Sequence, residues 1–133
     1  MLALKQSLIV AFGGALGSLA RFKLGGVVLH HSQGWNFPAS TFSVNVLGCL
    51  IIGLLAGLAE YHDLMSPSLR LLLFTGVLGG FTTFSALGYE TVFLLRRGLF
   101  AVAIGYVVLS VLFGLLAVGG GMKLVDLLWR ARH

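Results

Sequence analysis

Hydrophobic residues in this sequence form four long runs separated by short polar connections. The runs cover about residues 7–29, 38–59, 68–95 and 98–122. Because a bilayer core of roughly 30 Å requires about 20 apolar residues of helix, each run is long enough to cross a membrane. We therefore expect an all-α integral membrane protein with four transmembrane helices, in which residues 1–133 form a single membrane domain.

The third run contains a segment that is unfavourable inside a helix. Residues 79–85 read Gly-Gly-Phe-Thr-Thr-Phe-Ser, and Gly, Thr and Ser weaken helices through backbone entropy or competing hydrogen bonds. As one straight helix, residues 68–95 would measure roughly 42 Å, longer than the bilayer core. We predict a broken third helix, two half-helices with a break near residues 79–83. Non-helical backbone at that depth must be buried, line a watery cavity or bind an ion.

Composition and charge narrow the possible functions. Hydrophobic residues make up 58% of the chain and charged residues only 10%. The net charge of +5 would suggest nucleic acid in a soluble protein, but here the basic residues flank apolar runs, which is typical of anchoring to membrane lipid. We therefore expect no nucleic-acid partner. The sequence contains no GxSxG, P-loop or HExxH motif, so we do not expect an enzyme.

The first run carries small residues and a charge on one helical face. Gly13, Gly17 and Arg21 are spaced four residues apart, so another helix can approach the glycines closely. Arg21 on that face either points into protein or water, or extends to a lipid headgroup. The glycines and the arginine favour a packed helix over a cleaved signal peptide.

Polar side chains recur within the other runs. Asn45 in the second run needs a partner, which is either an interhelical hydrogen bond or a ligand in a polar path shared with Thr41. Glu90 in the third run meets an arginine or reaches the interface. In the fourth run Tyr106 and Ser110 share a face, although a serine often bonds back to its own helix.

The basic residues divide almost evenly between the two sides of a four-span protein. One side carries Lys5, Arg70, Lys123, Arg130 and Arg132, and the other carries Arg21, Lys23, Arg96 and Arg97. Because an excess of Lys and Arg sets orientation, five against four gives little preference for either one. Insertion in both orientations would permit an antiparallel homodimer, and four helices are too few to enclose much of a pathway alone.

Three segments together resemble the Fluc (CrcB) family of fluoride channels. They are residues 13–22 (GGALGSLARF), 38–45 (PASTFSVN) and 79–85 (GGFTTFS), and the third is the most specific. The resemblance implies a dual-topology antiparallel homodimer in a bacterial-type inner membrane, with two pores through which fluoride leaves the cytoplasm passively. It also implies a structural sodium ion at the dimer centre.

The resemblance assigns roles to individual residues. The carbonyls of Gly79 and Thr82 would hold the sodium ion, and Arg21 would lie at an aqueous vestibule. The pore would be lined by Asn45, Phe84 and Ser110, with Tyr106 and Thr41 nearby. Amide, hydroxyl and aromatic-edge donors suit fluoride, a small and strongly hydrated anion, without binding it too tightly for exit. Leu87 departs from the family, which commonly has a second phenylalanine there.

Two other functions fit a short four-span protein. A small multidrug-type exporter needs a carboxylate within the membrane for proton exchange, and Glu90 is the only candidate in this sequence. A partner subunit that transports nothing would explain the glycine-rich faces. It would leave the polar residues along three of the runs unexplained.

Overall fold

The computed structural model describes residues 1–61 and 65–131, and these residues fold into helices joined by short connections. The helices are α1 (Leu2–His31), α2 (Ala39–Tyr61), α3 (Pro67–Arg70), α4 (Gly79–Phe81), α5 (Phe84–Arg96) and α6 (Phe100–Arg130). A π-helical segment, Leu71–Leu78, joins α3 to α4.

Four stretches of helix are long and apolar enough to cross a membrane. They are Leu2–His31, Ala39–Glu60, Pro67–Arg96 and Phe100–Arg130. The chain is thus a multi-pass, all-helical membrane protein. We refer to Pro67–Arg96 as the third span.

The first and last helices of the chain extend beyond the predicted apolar runs. Helices α1 and α6 contain 30 and 31 residues, because the flanking polar residues also adopt helical backbone. Near the end of α6, Arg130 Nε donates to Asp126 Oδ1 at 2.9 Å. Arg132, which entered the count of basic residues, lies outside the described residues, as do residues 62–64 of the polar connection between the second and third runs.

Helix α1 packs against the third span through backbone contact at glycines. A Cβ atom on Gly13 would lie 2.9 Å from Gly76 Cα, and one on Gly17 would lie 2.8 Å from Phe81 N. Real Cβ atoms essentially never show contacts under 3.0 Å, so both positions require glycine. The predicted close approach of a second helix at Gly13 and Gly17 is confirmed.

Helices α2 and α6 form the second tightly packed pair. A Cβ atom on Gly53 would lie 2.9 Å from Val118 Cα, so these two backbones also lie close together. Near this pair, α5 and α6 bury a small cluster that includes Leu94, Ala103 and Tyr106. Large apolar residues on the outside stay exposed, as expected for side chains that face lipid.

Thr82 and Thr83 have extended backbone in the middle of the third span. Their φ and ψ angles are −86° and 156°, and −150° and 114°. Gly79 is helical, with φ −63° and ψ −36°. Gly80 instead contacts α1, since a Cβ atom added to it would lie 3.0 Å from Gly14 Cα. The two threonines, and not the two glycines, depart from helical geometry.

Candidate functional site

Asn45 on α2 binds the backbone of Thr83 in both directions. Asn45 Nδ2 donates to the Thr83 carbonyl at 3.0 Å, and the Thr83 N–H donates to Asn45 Oδ1 at 2.8 Å. The side chain therefore supplies an acceptor and a donor to extended backbone that has lost its helical partners. Since Nδ2 carries two hydrogens, one donor remains for another ligand.

The two bonds at Thr83 change the environment of neighbouring carbonyls. In a continuous α-helix the Gly79 carbonyl would accept from Thr83 N–H, and the Thr82 carbonyl from Ala86 N–H. Here Thr83 N–H donates to Asn45, and Ala86 N–H donates to Thr83 Oγ1 at 3.2 Å. Both carbonyls thus lack the donor that a continuous helix would provide. Carbonyl oxygens in this state are suitable ligands for a hard cation.

A cavity of about 350 Å³ lies beside these atoms. It is lined by residues of α2 and of the third span, including Asn45, Cys49, Gly79, Thr82 and Phe84. Phe84 is 84% exposed, so its ring does not pack into the core of its own chain. The structure thus brings together four of the residues predicted to bind sodium or fluoride, namely Asn45, Gly79, Thr82 and Phe84.

A second polar cluster joins three helices around Glu90. The carboxylate accepts from Thr41 Oγ1 at 2.7 Å and from Tyr106 OH at 2.6 Å. Both O···O distances lie within the ordinary range of O–H···O hydrogen bonds. Thr41 and Tyr106, both predicted to lie near a pore, therefore direct their hydroxyl hydrogens at Glu90. The arginine expected as a possible partner of Glu90 is not the group that it meets.

The remaining predicted site residues lie apart from the cavity beside Asn45. Ser110 Oγ is buried and has no hydrogen-bond partner among the described residues, so it does not bond back to its own helix. Arg21 is partly exposed and does not line that cavity. Leu87 is 8% exposed and packs in the cluster with Leu94 and Tyr106.

Sequence reasoning gave little weight to Glu90 and did not identify Thr83 as the partner of Asn45. The available signal for Glu90 is that it is the only acidic residue within the four apolar runs, with hydroxyl residues in two neighbouring spans. For Thr83 the signal was its position in the predicted break, where backbone groups need side-chain partners. Both residues hold polar side chains of other helices at fixed positions.

Comparison with known proteins finds one matching family model and several similar proteins. A family model described as "CrcB-like protein, Camphor Resistance (CrcB)" matches residues 8–122. A protein of Methylobacillus flagellatus named "Fluoride-specific ion channel FluC" is 53% identical over 126 residues, which cover 95% of this chain and 98% of the relative. A protein of the same name from Chloroflexus aurantiacus is 47% identical, and the alignment covers 88% of this chain and 92% of the relative. Another, from Acidobacterium capsulatum, is 44% identical, and the alignment covers 85% of this chain and 90% of the relative.

Proposed function

Because the chain belongs to the CrcB family, we propose that it is a passive, fluoride-selective channel through which cytoplasmic fluoride leaves the cell. The relatives named as fluoride-specific ion channels support this activity, which is transport and not enzymatic catalysis. The proposed location is the inner membrane of a bacterial-type cell, where the channel would confer resistance to fluoride.

The arrangement around Asn45 is the observation that carries the proposal. Its amide is fixed by two bonds to Thr83 and retains one N–H in a cavity that Phe84 also lines. An N–H donor and the positive edge of an aromatic ring both attract an anion without a full charge. Binding of that strength replaces part of the hydration shell and still permits exit.

Ser110 and the Glu90 cluster have different roles in this proposal. The buried Ser110 hydroxyl has no partner among the described residues, which supports its use as a donor to fluoride. Thr41 and Tyr106 instead donate to Glu90, so they contribute to the pore by holding that carboxylate in place. Leu87 contributes packing within its own chain in place of a second aromatic edge.

We propose an antiparallel homodimer with two pores. The near-equal division of Lys and Arg supports insertion in both orientations. The 84% exposure of Phe84 and the cavity beside it support a partner surface at that face. A second copy would complete the enclosure that four helices cannot provide alone.

We also propose that a sodium ion is held at the dimer centre by the carbonyls of Gly79 and Thr82 from each subunit. The loss of helical donors to these two carbonyls supports the assignment. When bound, the ion would supply a fixed positive charge that favours an anion nearby. The two bonds between Asn45 and Thr83 hold the backbone next to these carbonyls in place, so they would support such an ion site.

Glu90 gives less support to proton-coupled drug export. An exporter of that class alternates its carboxylate between proton and cationic substrate. Both carboxylate oxygens of Glu90 already accept hydrogen bonds from other helices, which opposes such exchange.

Flux from liposomes tests the proposed activity. Purified protein in vesicles loaded with potassium fluoride should release fluoride when valinomycin carries potassium out. Vesicles loaded with potassium chloride should release no chloride above the protein-free background. Equal rates for the two anions, or no fluoride release, would contradict a fluoride-selective channel.

A further inference from the structure

A second cavity, of about 220 Å³, opens at the end of the bundle where the α1–α2 connection meets the end of α5. Its lining combines the connection residues Ser32, Trp35 and Asn36 with Glu90 and Arg97 of the third-span end. Glu90 is partly buried and its carboxylate is fixed by Thr41 and Tyr106, whereas Arg97 is exposed. The cavity therefore runs from an exposed cation to the polar cluster that holds Glu90.

The position of Arg97 is restrained by its own helix end. Its backbone N–H donates to Phe93 and Leu94 carbonyls at 3.2 and 3.1 Å, which closes the last turn of α5. Its guanidinium carbon lies 5.7 Å from the centre of the Phe93 ring, within cation–π range. Arg96, the preceding residue, is exposed and does not line the cavity.

The formal charge of this cavity depends on Arg97. Among the described residues that line it, Glu90 is the only acid and Arg97 the only base. With both charged, the lining sums to zero. Without Arg97 it carries one negative charge, which would repel an anion from the cavity. A cleft with low-dielectric walls concentrates such effects.

We infer that Arg97 is the anion-collecting residue of a pore mouth formed by this cavity, and that it acts by offsetting the charge of Glu90. The inference rests on the proposed fluoride conduction. The guanidinium group of Arg97 supplies five N–H donors. The amide of Asn36 adds an uncharged donor at the same mouth.

Fluoride efflux from neutral phosphatidylcholine vesicles at two ionic strengths tests the inference. At about 10 mM salt the Debye length is about 30 Å, and at about 1 M it is about 3 Å. Arg97→Gln should lower the initial efflux rate by about three- to tenfold at low salt and by less than about twofold at high salt, since the lost effect is electrostatic. Sodium gluconate sets the external ionic strength and sucrose keeps the osmotic pressure equal, so the outward potassium gradient is preserved.

Matched variants separate a local effect from general surface charge. Arg96→Gln removes the same charge one residue away and should conduct like the wild type, and Arg97→Lys should retain most of the rate. In a Glu90→Gln background, Arg97→Gln should cost less than it does alone, because the charge to be offset is gone. Monodispersity by size exclusion confirms that each variant folds.

The outcomes distinguish this inference from the proposed function. A wild type that conducts no fluoride defeats the channel itself. A conducting wild type with Arg97→Gln equal to it, or with Arg96→Gln and Arg97→Gln equally impaired, overturns the role of Arg97 alone. A loss seen only in vesicles with anionic lipid would show that Arg97 binds headgroups instead.

Discussion

Asn45 acts on its surroundings through both ends of its amide group. The oxygen and one N–H satisfy the backbone of Thr83, and the second N–H is available in the cavity beside Phe84. One side chain therefore stabilises the extended backbone and offers a donor to an anion. Substitutions at this position should be interpreted with both roles in mind.

Asn45→Asp should block conduction. The carboxylate can still accept from Thr83 N–H, but it cannot donate to the Thr83 carbonyl, and it repels the anion. A unit charge at about 4 Å in an effective dielectric of about 20 is worth roughly 4 kcal/mol, so fluoride efflux should fall by about a thousandfold. Efflux from liposomes measures this, with Gln6→Glu on the exposed N-terminal part of α1 as the matched amide-to-acid control, since Gln6 lines neither cavity. Undiminished flux in Asn45→Asp would remove Asn45 from the pore.

Phe84→Ile should abolish fluoride flux without unfolding the protein. The substitution removes the positive ring edge, and the 84% exposure of Phe84 means that little packing within the chain is lost. The readouts are fluoride efflux and the melting temperature in detergent. Phe22→Ile provides the control, since Phe22 is a comparably exposed aromatic residue on α1 that does not line the cavity. Normal efflux in Phe84→Ile would mean that fluoride passes elsewhere.

For individual residues, the sequence indicates which side chains are candidates for the site but not which groups they bind. The sequence identifies Asn45 and Ser110 as candidates because a polar side chain in an apolar run needs a hydrogen-bond partner. The bonds from Thr41 and Tyr106 to Glu90 depend on how three helices rotate about their axes, and four runs of similar hydropathy do not determine that rotation. The sequence therefore left the partner of Glu90 open.

Helix α1 and the third span are in direct backbone contact. The glycines of α1 allow its backbone to touch the π-helical segment and α4. π-Helical segments are rare and are frequently found at functional sites. Here the segment packs against α1 just before the extended threonines.

Gly17→Ala should destabilise the protein, whereas Gly14→Ala should have little effect. A Cβ atom on Gly17 would lie 2.8 Å from Phe81 N, while one on Gly14 would have no atom within 4 Å. Overpacking of this kind costs about 1–3 kcal/mol. The measurement is the melting temperature of each variant in detergent. Similar melting temperatures for both variants would contradict the close packing of α1 on the third span.

The prediction of four long apolar helices is confirmed, whereas the sequence did not specify which residues within the third span are extended. Long apolar runs determine four spans almost without regard to tertiary contacts, because a bilayer demands satisfied backbone. The extended residues are Thr82 and Thr83, although glycine has the weaker helix propensity. Tertiary contacts determine which residues are extended. Gly80 packs against α1, whereas Asn45 and the Thr83 hydroxyl stabilise non-helical backbone at the threonines.

At the scale of the whole molecule, the proposed dimer predicts two orientations in one membrane. With a single cysteine introduced as Gln33→Cys in a Cys49→Ala background, an impermeant maleimide should label about half of the protein in intact spheroplasts, because the Lys and Arg bias is near zero. Ala131→Cys, which lies on the other side of the membrane from Gln33 in a four-span protein, should also label by about half. Complete labelling at one position and none at the other would establish a single orientation.

The proposed sodium ion predicts that dimer stability depends on the cation supplied. Replacement of sodium by N-methylglucamine should lower the melting temperature and increase the monomer fraction in detergent, because a ligand that binds only the assembled state stabilises it. Sodium should restore both values. The readout is size exclusion with thermal denaturation, which is independent of flux. Identical stability in both buffers would argue against an ion at the interface.

The reciprocal bonds between Asn45 and Thr83 also bear on biogenesis. Helix α2 precedes the third span in the chain, so Asn45 is synthesised before Thr83. The extended threonines can then find their partner within the same nascent chain, before any second copy arrives. A chain that lacks this amide must hold exposed peptide groups in lipid during assembly, and quality-control proteases should remove it faster.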